Sequence, residues 1–288
     1  MPELKALLEE TIRRCSHLAR RDNDPIGLVH PYPEDSDREV AALFASCLAY
    51  GRVELLREAI HHALAPLGSR PARYLRSSTI DEIEALWPQF SYRMTRGADL
   101  RDLACALQKT LKREGSLQAL YAQPTDCGDV IRSRDEHLEL ASTFVRTLRR
   151  RRHRSDEARG FRYLLPDPAD GSACKRLHLF FRWVVRGPDA IDLGLWDKVD
   201  PAALIMPLDT HTSRLCRYLG MLERKTVDGK AAQQVTRKLA ALEASDPLRY
   251  DFALCHLGIS GRCIHRYCST RCPKCPIEPA CILIDGER

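Results

Sequence analysis

Residues 208–220, LDTHTSRLCRYLG, combine one acidic residue with the apolar spacing of a helix. Asp209 stands directly before the run, where an aspartate caps a helix by accepting a backbone N–H bond. A metal site made by Asp209 and His211 is excluded, because residues two apart on a helix point about 200° away from each other. The stretch therefore predicts a capped helix whose buried face is formed by Leu208, Thr212, Leu215, Cys216 and Leu219.

The same helical spacing continues through almost all of the chain. Thr79 and Asp99 are expected to cap two further helices, and Gly115 to end one. No segment shows the two-residue alternation of a β-strand. We therefore predict an all-α fold of about ten helices. The predicted helical segments are 4–15, 40–48, 51–64, 78–86, 99–115, 137–148, 172–186, 209–219, 228–242 and 246–257.

Composition places the chain among globular proteins. Its 288 residues are 44% apolar and 29% charged, and the formal charge of +6 permits a polyanionic partner without requiring one. The N-terminal residues lack the pattern of a signal peptide, and no apolar run approaches the roughly 18 residues of a membrane span. We expect a cytoplasmic protein with no membrane association, in which cysteines serve as thiols or metal ligands.

An arginine-rich block, LRRRRHR at residues 148–154, is the strongest local concentration of charge. Such a block at the end of a helix is usually solvated and favoured by the helix dipole. The alternative is contact with DNA phosphates, which would add salt-dependent affinity. Both interpretations stay open at this stage.

Six of the twelve cysteines lie between residues 255 and 281. The other six are scattered, and we expect them to be small buried side chains: Cys15, Cys47, Cys105, Cys127, Cys174 and Cys216. Within the dense segment the spacing C-x8-C-x2-C-x5-C is formed by Cys263, Cys272, Cys275 and Cys281, with Cys268 as an alternative ligand. Four thiolates suit either zinc or a [4Fe–4S] cluster. The single C-x2-C pair favours the cluster, because zinc sites usually use two such pairs.

This ending resembles the iron–sulfur loop of the endonuclease III family, the helix-hairpin-helix DNA glycosylases. The family spacing is C-x6-C-x2-C-x5-C, and a gap of six would place the first ligand at His265. Cys263 is the preferred first ligand, since it follows the Gly261-Arg262 step. The family also opens a helix with V-D-T-H, whose aspartate is catalytic. The resemblance assigns that role to Asp209.

The family carries a catalytic lysine at the start of the helix that follows its hairpin, L-P-G-V-G-x-K. Residues 164–175, LLPDPADGSACK, resemble this segment without its G-V-G core, which gives the role to Lys175. The hairpin and its 34-residue distance to Asp209 resemble those of archaeal 8-oxoguanine glycosylases. Ser172 is the expected helix cap. The resemblance implies DNA contacts by Gly171, Ser172, Arg176 and His211.

The chemistry of these two residue types fits the assigned roles. A carboxylate held ionised at a helix N-terminus would stabilise an oxocarbenium sugar, whereas a plain cap would contribute only about 1 kcal/mol to stability. The positive helix end, with burial against Leu179 and Trp183, would favour the neutral lysine amine needed to attack C1′. The alternative is that Lys175 or Arg176 covers apolar surface or binds a phosphate.

A helix break at residues 43–56, LFASCLAYGRVELL, resembles the early helix–loop–helix of the same family. Tyr50 would stack on a base, and Arg52 would fill the gap left by a flipped nucleotide. The alternative is an ordinary helix junction that ends at Gly51.

Together these features predict a two-lobed helical protein of the helix-hairpin-helix glycosylase type. One lobe would span residues 37–187 and hold a helical barrel with the hairpin. The other would combine residues 1–36 with residues 188–288, including the metal loop at residues 263–281. The predicted activity is excision of a damaged base from double-stranded DNA by a monomeric, nucleoid-associated enzyme with abasic-site lyase activity. Alternatives are a non-catalytic DNA- or damage-binding protein and a zinc-stabilised interaction module.

Overall fold

Helices dominate the fold in a computed structural model, which describes residues 2–15, 18–123, 130–259 and 263–283. These ranges contain fourteen α-helices, which confirms the all-α prediction in its coarse form. The helices are α1 (Pro2–Cys15), α2 (Leu18–Asn23), α3 (Asp35–Leu48), α4 (Val53–Leu64), α5 (Pro71–Ser77), α6 (Ile80–Glu84), α7 (Gly97–Arg113), α8 (Leu117–Ala122), α9 (Arg134–Arg150), α10 (Arg159–Leu164), α11 (Lys175–Val185), α12 (Thr210–Tyr218), α13 (Gly229–Ala240) and α14 (Asp251–Ile259). No helix in the described ranges is long and apolar enough to cross a bilayer.

Local capping chemistry sets several helix ends. Thr79 caps α6 through a reciprocal pair of bonds with Glu82, as the sequence indicates. The prediction for Asp99 is wrong by one turn: α7 begins at Gly97, and the Asp99 carboxylate reaches back to the backbone N–H of Arg96. An acidic residue in a first turn satisfies free N–H groups from either position, so the sequence does not distinguish the two.

A two-stranded hairpin departs from the prediction that the chain has no strands. Strand β1 (Ser91–Tyr92) pairs with β2 (Thr95–Arg96), leaving Arg93 and Met94 as the turn. Arg93 has a φ of 51°, a left-handed conformation that costs a non-glycine residue about 1–2 kcal/mol. Strands of two residues are too short to produce an alternating pattern, so the sequence could not reveal them.

The central helix is α11, whose side chains form much of the core. It packs against α3, while α1 and α12 both pack against α14. The chain then returns along α11, where Leu193 and Trp196 donate backbone N–H bonds to Trp183 and Val184. Trp196 also donates its indole N–H to the buried carboxylate of Glu39. The lobe boundaries at 37–187 stay a prediction.

A buried ionic cluster joins α11 to α14. The Arg182 guanidinium donates to both carboxylate oxygens of Asp192 and, at 2.5 Å, to Asp251. Arg186 donates to Asp192 and Asp246. All the charges of Arg182, Asp192 and Asp251 lie inside the protein and are paired, which is the condition under which buried charges are tolerated.

The arginine block at residues 148–154 is used mainly for internal contacts. Arg151 forms a bidentate pair with Glu114 at 2.6 and 2.7 Å, and Arg154 binds both Asp99 and Asp102. Arg149 donates to the backbone carbonyl of Leu165. These contacts tie the end of α9 to α7 and α10, an outcome that neither sequence interpretation contained.

Two fully buried histidines lie in the aromatic core beside α11. His137 is hydrogen-bonded through Nδ1 to the Tyr121 hydroxyl at 2.6 Å, whereas its Nε2 and the Nδ1 of His178 have no hydrogen-bond partner among the described residues. Burial lowers the pKa of His137 to about 3 and that of His178 to about 4. Both imidazoles are therefore held neutral, since protonation would place an unpaired charge in the core.

This arrangement predicts acid-sensitive stability. An unfolded histidine has a pKa near 6.5, so between about pH 6.5 and pH 4 the unfolded chain binds more protons and stability falls as pH falls. Each histidine should remove about 2 kcal/mol of the free energy of unfolding at pH 5. Urea denaturation at pH 7 and pH 5 should show that the free energy of unfolding falls less between these two pH values for His178→Leu than for wild type. The exposed His62→Leu serves as control, and equal losses in all three proteins would contradict the assignment.

Candidate active site and cysteine loop

A cleft of about 1420 Å³ opens where the α3–α4 break meets the N-termini of α11 and α12 and one face of α14. Its wall includes both residues that the sequence assigns to catalysis and several arginines. The residues that line the cleft include Tyr50, Arg52, Met94, Arg159, Arg162, Ser172, Lys175, Arg176, Leu179, Asp209, His211, Asp251, Phe252 and Cys255.

Lys175 and Asp209 meet in this cleft although 34 residues separate them in the sequence. The Lys175 Nζ atom lies 3.7 Å from Oδ2 of Asp209 and 3.5 Å from the carbonyl of Ala49. The other carboxylate oxygen of Asp209 accepts the backbone N–H of Thr212 at 2.9 Å, which confirms Asp209 as the cap of α12. One oxygen thus fixes the helix end, and the other faces the amine.

Both side chains remain accessible, with 28% of Lys175 and 25% of Asp209 exposed. Lys175 is the first residue of α11, which confirms its predicted place in the first turn. Leu179 lines the same cleft one turn further, whereas Trp183 lies wholly inside the core. The amine therefore faces a carboxylate as well as an apolar wall.

The segment before α11 differs from the prediction that Ser172 caps the helix. Cys174 occupies the capping position with a left-handed φ of 42°, and the Ser172 hydroxyl accepts its N–H at 3.3 Å. The carbonyl of Gly171 accepts the N–H of Gly229 at 2.9 Å, which anchors the segment to α13. Ser172 lines the cleft and both residues are exposed, so a DNA contact by either stays a prediction.

Arg176 is built into the wall of the cleft. It is 9% exposed, and its guanidinium donates to the carbonyls of Cys47, at 2.6 Å, and of Tyr163. The same group lies 4.9 Å from the ring centre of Tyr50 and 4.2 Å from that of Tyr163. A phosphate contact by Arg176 would have to replace these internal contacts.

Tyr50 is similarly engaged, because its hydroxyl hydrogen-bonds Thr95 at 2.8 Å and donates to the carbonyl of Tyr92 at 3.1 Å. Burial raises the pKa of Tyr50, so the hydroxyl stays protonated. Gly51 has a φ of 97°, and a Cβ there would lie 2.7 Å from the Tyr92 hydroxyl, so only glycine fits. Arg52 precedes α4 and is exposed at the cleft.

His211 lies between the cleft and the cysteine loop, the predicted metal loop at residues 263–281. It is exposed on α12, lines the cleft, and its ring centre is 6.1 Å from that of His265. At Gly258 an added Cβ would meet the His211 Cβ at 3.2 Å, so α12 and α14 approach each other closely at this point.

The predicted metal ligands surround one small cavity, whose cysteines are Cys263, Cys268, Cys272, Cys275 and Cys281. In the described part of the chain, the only three potential ligands with donor atoms within 4.8 Å of one another are Glu84, Cys105 and His153. Thiolates on one tetrahedral zinc would lie about 3.8 Å apart, since the Zn–S bond is about 2.3 Å. These cysteines are the ligand type that a thiolate-bound metal group needs. No three of their sulfur atoms lie within 4.8 Å of one another, so they are further apart than the ligands of a preformed zinc site.

The cysteine loop is attached to α12, the helix that Asp209 caps. The backbone N–H of Ile282 donates to the carbonyl of Tyr218 at 2.9 Å, and the Tyr218 hydroxyl donates to the backbone carbonyl of His265 at 3.5 Å. Gly261 and Arg262 lie outside the described residues, as does Cys127. The other five scattered cysteines are buried, as predicted: Cys15, Cys47, Cys105, Cys174 and Cys216.

Sequence reasoning missed the contribution of α14 to the cleft. Asp251, Phe252 and Cys255 line it beside α11, whose Arg182 is hydrogen-bonded directly to Asp251. The i, i+4 spacing of Asp251 and Cys255 places them on one helical face, but only tertiary packing shows which side that face meets. Arg159 and Arg162 were missed for a different reason: they belong to α10, which lies between two of the helices predicted from the sequence.

Comparison with known proteins gives one match. A family model described as a protein of unknown function (DUF2400) matches residues 24–260, a range that contains Lys175 and Asp209 and ends before Cys263. No curated protein matches the chain, and no solved structure matches it.

Proposed function

We propose that this chain, which belongs to the DUF2400 family of proteins of unknown function, is a DNA glycosylase with abasic-site lyase activity. The observation that carries the proposal is the 3.7 Å contact between the Lys175 amine and the Asp209 carboxylate, each at the N-terminus of a helix and both open to the cleft. An amine beside a carboxylate is the pair that such chemistry needs. The proposed arrangement is the two-lobed helix-hairpin-helix type.

The dimensions of the cleft and the exposed arginines at its wall suit a nucleotide turned out of a duplex. Sites for small molecules occupy roughly 300–1,000 Å³, so 1420 Å³ leaves room for a base, its sugar and flanking phosphates. Arg52, Arg159 and Arg162 are exposed at its wall, where phosphates would lie, and Arg162 would exchange its 3.8 Å ion pairs with Glu157 and Asp170 for a phosphate. Leu179 and Phe252 provide apolar surface against which an extruded base would pack.

Asp209 would act on the sugar. As the bond between the base and C1′ breaks, positive charge develops on the sugar ring, and a fixed carboxylate stabilises that charge. The hydrogen bond from Thr212 holds this carboxylate in place before the reaction begins, so no reorganisation is required.

Lys175 would act as the nucleophile. Its ammonium first loses a proton to the solvent that reaches the open cleft, so Asp209, 3.7 Å away, stays ionised. The free electron pair then forms a bond from Nζ to C1′ as the glycosidic C–N bond breaks, and the base leaves with that bond's electron pair and takes up a proton from solvent. The new secondary ammonium gives a proton to O4′ as the C1′–O4′ bond breaks. A protonated Schiff base results, the species that permits strand cleavage.

The cysteine loop would hold a [4Fe–4S] cluster, with zinc as the alternative. Cys263, Cys272, Cys275 and Cys281 would be the ligands, with Cys268 as the alternative first ligand. A bound cluster would close the loop against α12, because ligand binding and folding of such a segment are coupled. Anaerobically purified protein should show broad visible absorbance and contain about four irons, whereas a colourless protein with one zinc would overturn the cluster.

The activity is tested with duplexes that carry 8-oxoguanine, an oxidised pyrimidine or an abasic site. Wild-type protein should release the base from at least one damaged duplex, and borohydride should trap a covalent adduct by reducing the Schiff base. Salt-dependent binding without base release or trapping would overturn the activity in favour of the non-catalytic alternative, a DNA- or damage-binding protein. A monomer bound to nucleoid DNA in the cytoplasm is part of the same proposal.

A further inference from the structure

The hairpin at residues 91–96 stands at the mouth of the cleft with a strained turn. A two-residue turn whose first residue has a positive φ normally carries glycine at that position, yet this chain has Arg93. Non-glycine residues in such conformations occur preferentially where a side chain is needed for function. The turn thus carries an exposed cation where glycine would relieve the strain, and the Arg93 side chain hydrogen-bonds Tyr92 next to Gly51.

Several contacts hold this hairpin rigidly in place. The Tyr50 hydroxyl binds Thr95 and the Tyr92 carbonyl, and the Tyr92 hydroxyl donates back to the Tyr50 carbonyl. The Arg96 guanidinium donates to the carbonyl of Arg93 at 2.6 Å. Because these contacts hold both strands of the hairpin, its turn would keep its position when it presses against a bound partner.

The last turn residue, Met94, is 46% exposed, and it lines the cleft that holds Lys175 and Asp209. Its surroundings are cationic: Arg52, Arg93 and Arg96 are also exposed. An exposed apolar side chain on a rigid turn between cations matches the chemistry of duplex DNA, whose phosphates are anionic and whose base stack is apolar. Apolar wedges, methionine among them, enter base steps and unstack them.

We propose that Met94 is a wedge that enters the duplex beside the extruded nucleotide, while Arg93 binds an adjacent phosphate. This inference rests on the proposed function and replaces Tyr50 as the residue that contacts the stack. The Tyr50 ring and hydroxyl are taken up by Arg176, Tyr92 and Thr95, so Tyr50 supports the hairpin from behind.

The test uses a duplex that carries a tetrahydrofuran abasic-site analogue with 2-aminopurine as its neighbour. Binding of wild-type protein should increase 2-aminopurine fluorescence, because the neighbouring base loses its stacking partner. Met94→Ala should abolish this increase and weaken affinity for this duplex about tenfold, with little change for undamaged duplex. Met94→Leu should restore both. Leu55→Ala removes a comparably exposed apolar side chain outside the cleft and should behave as wild type.

Arg93→Gly keeps the turn and removes the cation. It should fold with unchanged or higher stability, retain the fluorescence increase, and lower the slope of log affinity against log salt concentration by about one. An unchanged slope would overturn the phosphate contact.

The outcomes separate the wedge from the proposed activity. If wild type excises a base while Met94→Ala binds, unstacks and excises equally well, the wedge is overturned and the activity stands. If wild type has no activity but its fluorescence increase depends on Met94, the activity is overturned. The wedge role of Met94 is then supported in a non-catalytic DNA-binding protein. If wild type binds no duplex at all, both are overturned, and an apolar protein partner becomes the occupant of this surface.

Discussion

Replacing Lys175 with alanine is expected to abolish the borohydride-trapped adduct on abasic-site duplex, because no other amine replaces Nζ beside Asp209 in the described cleft. Release of the damaged base should fall as well, since water is a weaker nucleophile than a lysine amine. Denaturing gels of the trapped product measure the first quantity, and single-turnover assays on lesion duplex measure the second.

Two further variants separate the loss of the nucleophilic amine from the loss of positive charge. Lys175→Arg keeps a cation next to Asp209 but cannot form a Schiff base, so it should lose the adduct while retaining duplex affinity. Lys230→Ala removes an exposed lysine from α13, outside the cleft, and should trap as wild type does. An undiminished adduct in Lys175→Ala would show that another amine is the nucleophile.

Asp209→Asn is expected to reduce the single-turnover rate by about 10²–10³-fold with only a small loss of stability. Asparagine caps helices about as well as aspartate, so the bond from Thr212 should survive while the negative charge disappears. The lost contact with Lys175 is partly exposed and contributes at most about 1 kcal/mol to stability.

The chain contains a close structural match for this variant. Asp228 caps α13, accepts the backbone N–H of Ala231 at 2.8 Å and pairs with the basic Arg224. Asp228→Asn should lose at least as much stability, because Arg224 and Thr226 also donate to its carboxylate, with no change in rate. Equal rates for Asp209→Asn and wild type would leave Asp209 a plain helix cap, its commonest alternative role.

The sequence predicted correctly those features that depend on residues close together in the chain. Asp209 as a cap depends on residues within one helical turn, and its placement was correct. Ser172 as a cap failed because a left-handed residue, Cys174, adds a turn that no simple motif encodes. The proximity of Lys175 and Asp209 was implied only by a resemblance, since no local pattern reports a contact across 34 residues.

The least predictable features depend on partners far away in the sequence. Arg176 has the spacing of a phosphate-binding residue but is held by the carbonyls of Cys47 and Tyr163. Tyr50 has the position of a stacking residue but supports a hairpin more than forty residues later. A polar side chain near a site is equally compatible with a ligand or with a buried backbone carbonyl, and only tertiary structure decides between them.

The buried cluster of Arg182, Asp192 and Asp251 has a consequence for how this protein can evolve. Substituting Arg182 leaves the buried Asp251 without its hydrogen-bonded counter-charge, which costs about 3–5 kcal/mol, a large part of the stability of an ordinary domain. Replacing all three with apolar residues of similar volume is far less harmful. The three positions should therefore be inherited or exchanged together, as a strongly epistatic group connecting α11, the helix of Lys175, to α14.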